Sequence, residues 1–386
     1  MNTFLNSLTV LRNLKSNKLI IALSEYFLKN TVETYNDLLC EIYSSGVEEN
    51  LLGAVQNVVL HDVNAFSTVC ASGKKPSEYL KKAYLSDLQT IFSAVGSLMD
   101  RDGFRIGKPL PVFDCPDGTL IYSLEELYAE KGYGQFIDGK AFSYLNGDFM
   151  PLGGAADVTL SQLKNYESEK ALIDANVKNF IENLPFSNML LYGDRGTGKS
   201  STVHAMLNAY CDKGLRLIEL NKNDLLFIKE IKQRLAPLPL KFIVFIDDLT
   251  FGEQDDRVSA LKTAVEGSVI YGNNVMIVAT SNRRHVIKES FSERDNSVHP
   301  SDNMEEQLSL SDRFGLTVMF STTGKSEYLS IVEQLAADRK LSTSKEQLAI
   351  LAERWAILNG GRSPRRAKQF TDFIYSCEKS GRAIEF

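Results

Sequence analysis

The stretch that decides the fold of this chain reads Gly193-Asp194-Arg195-Gly196-Thr197-Gly198-Lys199-Ser200, with Ser201 directly after it. It meets every position of the pattern GxxxxGK[ST], and it joins the apolar run 189–192 to a helical pattern. Glycines let a backbone wrap around phosphate groups with its N–H groups pointing inward, and the first turn of the helix presents its positive end to the anion. The motif therefore predicts that residues 193–201 form a phosphate-binding loop.

The loop also predicts which side chains meet a nucleoside triphosphate and its metal ion. Lys199 is expected to reach the β- and γ-phosphates, and the hydroxyl of Ser200 to bind Mg²⁺. Further along the chain, the apolar run 242–246 ends in Asp247 and Asp248. We expect Asp247 to hold Mg²⁺ through water and Asp248 to act as the base that orients the attacking water. Together the two elements predict a site for ATP and Mg²⁺, with hydrolysis of ATP to ADP and phosphate as its reaction.

Short apolar runs alternate with helical patterns over the second half of the chain, which indicates a parallel sheet flanked by helices. The runs that we interpret as strands are 189–192, 215–220, 242–246, 275–279 and 316–320. After Phe320 the pattern stays helical to the end, with a capping box from Ser344 to Gln347. The prediction is an α/β P-loop fold with a five-stranded parallel sheet, helices on both faces and a C-terminal helical lid.

The first half of the chain has a different organisation and carries no catalytic motif. Apolar residues at helical spacing predict a mainly helical domain over residues 1–103. The next stretch is rich in Gly, Pro, Asp and aromatic residues, which favours short strands and turns, so residues 104–160 are interpreted as a mixed connecting region. The remaining parts of this division are a nucleotide-binding core at 161–322 and the helical lid at 323–386.

Composition narrows the classes of function. The formal net charge of −6 argues against indiscriminate coating of DNA, because neutralising phosphates takes a basic surface. No apolar run approaches the roughly 20 residues that span a bilayer, and the N-terminal segment lacks the features of a secretory signal. The five cysteines are scattered singly, without the spacing of a disulfide scaffold or a zinc site. We therefore expect a cytoplasmic protein with no membrane partner.

From about Tyr166 onwards the motifs resemble those of the AAA+ class of P-loop ATPases. Ala279-Thr280-Ser281-Asn282 resembles the sensor-1 segment, which implies that Asn282 helps to position the lytic water. Leu310-Ser311-Asp312-Arg313-Phe314-Gly315 resembles the arginine-finger segment. This resemblance implies that Arg313 points at the γ-phosphate of a neighbouring subunit, and hence that the chain forms a homo-oligomer.

The same resemblance implies two further contacts to ATP. Gly361-Arg362-Ser363-Pro364-Arg365-Arg366 resembles the sensor-2 segment. Two cations in the first turn of a helix oppose the helix macrodipole, which suggests that they face an anion, although an exposed solubilising pair is the alternative. Arg365 is assigned to the phosphates, but Pro364 stands where relatives commonly have glycine, so the choice between Arg365 and Arg366 stays open. Tyr166 is assigned to the adenine, because the class places its segment beside the base.

A more specific resemblance is to an uncharacterised bacterial AAA+ family catalogued as domain of unknown function 815. It rests on the order of the segments GDRGTGKSS, LIEL, FIDDLTF, ATSNRRH, HPSDNMEEQLSLSDRFG and GGRSPRRAKQF. The family implies a fold and an ATPase site, but it implies no substrate.

We predict an ATP-driven oligomeric machine that does conformational work on an unknown protein or nucleic-acid client. A slow nucleotide-dependent switch is one alternative. A nucleic-acid-handling loader is another, favoured by the paired aspartates, which resemble those of the replication-initiator subgroup, and by Arg283-Arg284, but opposed by the net acidity. The basic loop Arg283-Arg284-His285 is interpreted as solvated, with contact to a partner subunit or nucleic acid as the alternative. A metal site is not assigned to His299 with Asp302, Glu305 and Glu306, because a lone histidine in a polar loop is usually not a ligand.

Overall fold

The computed structural model describes residues 4–46, 50–102, 108–116, 118–153, 157–251, 256–266, 274–282 and 313–385 of the chain. The chain divides into two units, one formed by Met1–Gly139 with Pro237–Leu240 and the other by Lys140–Ala236 with Lys241–Phe386. The division with boundaries after residues 103, 160 and 322 stays a prediction. Among the residues that the structure describes, no helix is both long enough and apolar enough to cross a lipid bilayer.

The N-terminal unit is mainly helical, as predicted. Its α-helices are α1 (Lys18–Lys29), α2 (Val32–Ser44), α3 (Leu51–Leu60), α4 (Ala65–Ala71), α5 (Glu78–Asp102) and α6 (Leu120–Lys131). Short 3-10 helices cover Phe4–Ser7, Arg12–Ser16, Pro111–Phe113 and Gly134–Phe136. The composition of the connecting region did not predict α6. This helix forms because apolar residues at helical spacing, Ile121, Leu124 and Tyr128, are buried in the same core as the helices before it.

A buried carboxylate fastens the N-terminal segment to this helical core. Asp87 on α5 is 3% exposed and accepts the backbone N–H groups of Thr9 (3.0 Å), Val10 (2.7 Å) and Leu11 (2.9 Å). An unpaired buried amide costs about 1–3 kcal/mol. The side chain of Asp87 therefore determines where the first turns of the chain lie on the unit.

The second unit contains every strand of the described residues. The strands are β1 (Ala141–Leu145), β2 (Asp148–Pro151), β3 (Met189–Gly193), β4 (Leu215–Glu219), β5 (Lys241–Ile246), β6 (Val275–Ser281) and β7 (Leu316–Phe320). The helices are α7 (Glu167–Ile181), α8 (Lys199–Tyr210), α9 (Ile228–Leu235), α10 (Asp256–Val265), α11 (Lys325–Asp338), α12 (Lys345–Leu358) and α13 (Pro364–Ser380). Further 3-10 helices cover Leu160–Gln162, Cys211–Lys213 and Lys222–Phe227.

The strands form a single sheet in the order β2-β1-β4-β5-β6-β3-β7. All five runs interpreted as strands are strands of this sheet, and they pair in parallel, which confirms the predicted α/β fold. The predicted number of five was wrong, because the sheet has seven strands. The two additional strands are an antiparallel hairpin whose β1 pairs in parallel with β4. Asn146 and Gly147, both with positive φ, form its tight turn, and Asn-Gly is the sequence that such a turn favours.

The order of the strands determines where the polar turns lie. Strand β6 lies between β5 and β3, so the carboxyl ends of the acidic strand, the Ser-Asn strand and the phosphate-loop strand are neighbours. Carboxyl ends of parallel strands meet at one edge of a sheet, and ligands of open α/β folds bind outside that edge. The fold therefore brings the predicted nucleotide motifs together.

Three helices form the predicted C-terminal lid, which has its own apolar core around Tyr328, Ala352 and Phe370. Helix α12 begins after Ser344, whose side chain accepts the backbone N–H of Gln347. Helix α13 begins with Ser363 as N-cap and Pro364 as its first residue, as the sequence indicates. Both caps determine the exact start of their helix, and the start of α13 is the part of the lid that reaches the phosphate loop.

The last residue of β3 must be a glycine because another strand approaches it closely. Gly193 has φ 133°, and a Cβ atom there would lie 1.9 Å from the carbonyl oxygen of Phe320 on β7. No side chain can be accommodated at that distance without moving β7. The phosphate loop therefore begins where β3 and β7 are in direct backbone contact.

We expect Gly193→Ala to destabilise the second unit by roughly 2–4 kcal/mol, because the substitution forces a backbone shift as well as an unfavourable φ. Gly147→Ala is the matched control, since Gly147 has φ 86° and no atom within 4 Å of the position of a Cβ. It should cost only about 1 kcal/mol. Urea denaturation of both variants measures the difference, and equal destabilisation would contradict the contact with Phe320.

Candidate active site

The phosphate loop joins the end of β3 to the start of α8, as the sequence predicts. Gly198 has φ 100° and lies at the N-cap of α8, so that Lys199 is the first helical residue. The Thr197 hydroxyl donates to the carbonyl oxygen of Asp194 at 2.8 Å and closes the loop on itself. The first N–H groups of a helix have no partner within the helix, and here they belong to residues 199–201 of the motif. The geometry suits an anion at this position.

Lys199 is buried at the base of the loop. Its Nζ donates to the carbonyl oxygens of Gly193 (2.8 Å) and Asp194 (2.7 Å). Burial lowers the pKa of Lys199 from its ordinary value of 10.5, while the carboxylates of Asp194, Asp247 and Asp248 act in the opposite direction. The ammonium group is thus oriented by the loop's own backbone and lies within the electrostatic reach of the acidic pair.

Ser200 and Asp247 come together at the mouth of the loop. The Ser200 hydroxyl donates to Oδ1 of Asp247 at 2.6 Å, although the two residues belong to α8 and to the turn after β5. Asp247 is exposed to solvent. A hydroxyl and a carboxylate are oxygen ligands of the kind that Mg²⁺ prefers, and Mg²⁺ usually completes its shell with water and substrate phosphates. The pair therefore fits the metal that the sequence predicts.

Asp248 follows in a strained backbone conformation and contacts Asn282. Its φ is 50°, in the left-handed region that non-glycine residues seldom adopt. Its carboxylate accepts a hydrogen bond from Nδ2 of Asn282 at 2.7 Å. The residue predicted as base and the residue predicted to position water are thus direct neighbours, and both lie at the carboxyl edge of the sheet. Strained backbone is concentrated at functional sites, which agrees with this placement.

Thr280, which none of the motifs marks as a site residue, links the two aspartates. Its hydroxyl donates to Oδ1 of Asp247 at 2.5 Å and accepts the backbone N–H of Asp248 at 2.9 Å. The backbone N–H of Leu249 also donates to the carbonyl oxygen of Thr280, at 2.7 Å. Thr280 is 2% exposed and directly follows the apolar run 275–279, and a polar residue at the end of such a run was the signal that could have identified it.

Arg313 does not belong to this cluster. It precedes β7, and Leu316 and Phe320 on β7 are in register with Met189 and Gly193 on β3. Five residues of parallel strand span about 16 Å, so Arg313 lies at the amino edge of the sheet, opposite its own phosphate loop. There its guanidinium group forms an ion pair with Glu266.

Among the three arginines at the start of α13, the structure brings Arg365 against the phosphate loop. The backbone N–H of Arg365 donates to the carbonyl oxygen of Gly196 at 3.1 Å, and a Cβ atom on Gly196 would lie 3.1 Å from Cβ of Arg365. Arg362 instead binds the carboxylate of Glu353 through Nε (2.9 Å) and Nη2 (2.7 Å), which lowers the pKa of Glu353. Arg366 donates to Gln369 at 2.8 Å. Of the two candidates left open, Arg365 is therefore the one in contact with the loop.

Tyr166 lies beside the end of β7. Its hydroxyl donates to the carbonyl oxygen of Ser321 at 2.6 Å, and its ring packs 5.1 Å from that of Phe320. The residue is 7% exposed, and burial raises the pKa of its hydroxyl. The contact with adenine stays a prediction.

The loop residues that were considered as a partner contact or a metal site lie outside the residues that the structure describes. They are Arg283, Arg284, His285, His299, Asp302, Glu305 and Glu306.

Comparison with solved structures finds matches at low identity. The RuvB Holliday junction branch migration motor of Thermotoga maritima is 15% identical, with a TM-score of 0.41 over 60% of this chain and 68% of that chain. The AAA domain of FIGL-1, in complex with ADP, is 14% identical, with a TM-score of 0.38 over 58% of this chain and 75% of that chain. None of the curated proteins matches the sequence.

The match to a protein family is more extensive. The family model described as "Protein of unknown function (DUF815)" matches residues 138–378, well over half of the chain. This range contains the phosphate loop, the acidic pair, Asn282, Arg313 and the start of α13. The chain belongs to the DUF815 family of proteins of unknown function.

Proposed function

We propose that this chain is an ATPase of the AAA+ type, which hydrolyses Mg-ATP to ADP and phosphate and uses the free energy to move a partner. The observation that carries the proposal is the convergence of Ser200, Asp247, Asp248 and Asn282 beside the phosphate loop. These residues come from three separate segments, and two hydrogen bonds, of 2.6 Å and 2.7 Å, join them. Such an arrangement supports a function in hydrolysing ATP more directly than a function in binding ATP without hydrolysis.

Each side chain has a distinct task in this proposal. Lys199 places a positive charge next to the β- and γ-phosphates, and Ser200 with Asp247 holds Mg²⁺, which when bound supplies positive charge to the phosphate oxygens. Asp248 orients a water molecule and accepts its proton, while the amide of Asn282 holds the Asp248 carboxylate in place. Ser201, Arg195 and the remaining loop residues contribute backbone N–H groups to the phosphates.

The position of Arg313 supports an oligomer in which one subunit completes the site of the next. Since Arg313 lies a full strand length from its own phosphate loop, we propose that it acts on the nucleotide of a neighbouring subunit. A contact of this kind is heterologous, and heterologous contacts close into rings or continue as filaments. The proposed assembly is a homo-oligomer of such contacts.

The contact between Arg365 and Gly196 supports a coupling between nucleotide and lid. We propose that Arg365, at the start of α13 in the lid, contacts the phosphates of ATP. Loss of the γ-phosphate would then weaken the contact between α13 and the phosphate loop. The partner on which this movement acts is a protein or a nucleic acid.

Steady-state release of phosphate from Mg-ATP is the experiment that tests the proposal. A nucleotide switch would bind ATP yet release phosphate at a negligible rate, even in its assembled form. A nucleic-acid loader would release phosphate faster when single-stranded DNA is added. Turnover that is absent under all conditions would contradict the proposed ATPase.

Lys199→Ala should lose most of its affinity for Mg-ATP, by about 10-fold or more, because the charge that faces the phosphates disappears. Isothermal titration calorimetry measures the affinity. Lys178→Ala is the control, since Lys178 is an exposed residue of α7 that pairs with Asp174. Unchanged affinity in Lys199→Ala would refute the assignment of the phosphate loop.

Asp248→Asn should bind Mg-ATP normally but hydrolyse it about 10²–10⁴-fold more slowly, the range over which a positioned base contributes. The amide oxygen can still accept the hydrogen bond from Asn282, so the turn keeps its shape. Single-turnover measurement of ADP formation separates the chemical step from binding. Wild-type turnover would move the role of base to another residue, with Glu253, outside the described residues, as the first to examine.

Arg313→Ala should bind ATP almost normally, because its own phosphate loop is intact, and should lose turnover by about 10³–10⁵-fold, as removal of an arginine finger does. Subunits with Lys199→Ala keep Arg313 and should partly restore turnover when they are mixed with Arg313→Ala subunits. Phosphate release from mixtures of known composition is the measurement. If sedimentation shows mixed assemblies and the mixture still releases no phosphate, an active site shared between subunits is excluded.

A further inference from the structure

The ion pair between Arg313 and Glu266 has no role in the function proposed so far. Arg313 lies before β7, and Glu266 is the first residue after α10. Their side chains are 33% and 52% exposed, so both remain accessible at the amino edge of the sheet. An isolated ion pair at such exposure contributes little to stability. Stability therefore gives little reason for this contact.

Asn188 fixes the end of α10 relative to the sheet. Its Nδ2 donates to the carbonyl oxygen of Val265 at 2.9 Å, and its Oδ1 accepts the backbone N–H of Ile277 on β6 at 2.8 Å. Its backbone carbonyl accepts the N–H of Leu316, the first residue of β7, at 3.1 Å. One residue thus holds the helix that ends beside Glu266 and the strand that begins after Arg313.

The segment that carries Arg313 is fixed from the other side by Ser187. A Cβ atom on Gly315 would lie 2.6 Å from Oγ of Ser187, so this turn packs tightly against the residue before Asn188. The backbone of Ser187 is itself held by the Asn176 side chain, which accepts from its N–H at 2.9 Å and donates to its carbonyl oxygen at 2.8 Å. The backbone next to each charged residue, at Val265 and at Gly315, is therefore held by the consecutive residues Asn188 and Ser187.

Because the backbone near Arg313 is held in place, the long side chain of Arg313 is the part that must still lose its freedom when it meets a neighbouring subunit. Immobilising a side chain with many rotamers reduces the affinity of the contact that it makes, and a preformed contact removes part of that cost. The ion pair engages Nη1 of Arg313. A guanidinium group has five N–H donors in a planar fork, so one engaged nitrogen restricts the position of the group and leaves donors for a phosphate.

We propose that Glu266 is a positioning residue for Arg313, which holds the guanidinium group in the orientation in which it meets the nucleotide of a neighbouring subunit. The inference rests on the proposed function, in which Arg313 acts between subunits. Glu266 itself does not touch the nucleotide. It acts by restricting the arginine before the subunits meet.

Two substitutions separate the geometry of this contact from its charge. Glu266→Ala removes the contact and should lower kcat about 3- to 10-fold with little change in KM, the cost of ordering one flexible side chain. Glu266→Gln keeps an oxygen that can accept from Nη1, so it should stay within about 2-fold of the wild type. Glu266→Asp keeps the charge but shortens the side chain; it should be impaired and tests the geometry even if the alanine variant unfolds.

Assembly provides a readout that does not depend on turnover. With a slowly hydrolysed ATP analogue and Mg²⁺, sedimentation velocity should show that Glu266→Ala needs about 3- to 10-fold more protein to assemble than the wild type. With ADP, where Arg313 has no γ-phosphate to meet, the two should assemble alike. Glu333→Ala is the matched control, because Glu333 is a half-exposed carboxylate on α11 that pairs with Lys345. It should behave as the wild type in both assays.

The double variant Arg313→Ala, Glu266→Ala decides between positioning and a separate role. It should be no slower than Arg313→Ala alone, since Glu266 acts only through the arginine. A further loss in the double variant, wild-type behaviour of Glu266→Ala, or faster turnover of Glu266→Gln would each overturn the inference while the proposed function stands. Wild-type turnover of Arg313→Ala would instead refute the finger itself.

Discussion

The geometry of the candidate site depends on the hydroxyl of Thr280, which connects Asp247 to the backbone of Asp248. It donates to the Asp247 carboxylate and accepts the backbone N–H of Asp248, while Asn282, two residues further on, donates to the Asp248 carboxylate. This arrangement requires β5 and β6 to be parallel neighbours that end at the same edge, which the register of the two strands provides. Because buried hydroxyls are costly without partners, the pairing of Thr280 also favours the turn in which Asp248 adopts its positive φ.

What could be predicted from the sequence depends on how local the chemistry is. The phosphate loop is a contiguous motif whose glycines and helix start determine its geometry, so the sequence was sufficient to predict a loop between a strand and a helix at residues 193–201. The acidic pair could be predicted to follow strand β5 because the apolar run ends directly before it, whereas the roles of the two carboxylates stay a prediction. The parallel sheet followed from the alternation of apolar runs and helical patterns. The composition of residues 104–160 indicated short strands and turns there, but it did not indicate that β1 and β2 extend the sheet, since both strands are short and lie among turn residues.

Contacts between distant segments could not be predicted in this way. Nothing in the spacing of Glu266 and Arg313 indicates that they meet, because their meeting depends on the packing of α10 against the sheet. Which of Arg365 and Arg366 contacts the phosphate loop likewise depends on the direction in which α13 begins. Ser363 at the N-cap and Gly196 in the loop determine that direction, and a Cβ atom on Gly196 would lie 3.1 Å from the Ser363 hydroxyl. Such information resides in the three-dimensional fold and not in any single motif.

The close approach of Gly193 to the Phe320 carbonyl has a consequence for communication within an assembly. Strand β7 begins just after Arg313 and ends at this contact, so one rigid strand connects the edge that would face a neighbour to the start of the chain's own phosphate loop. In an oligomer of the proposed kind, a displacement of Arg313 caused by a neighbour's nucleotide would be transmitted along β7 to Gly193. The affinities of adjacent sites for ATP would then be linked by a coupling free energy, and the effect would be reciprocal. The order in which the subunits hydrolyse ATP would then depend on the contact between Gly193 and Phe320, which leaves no space for a methyl group.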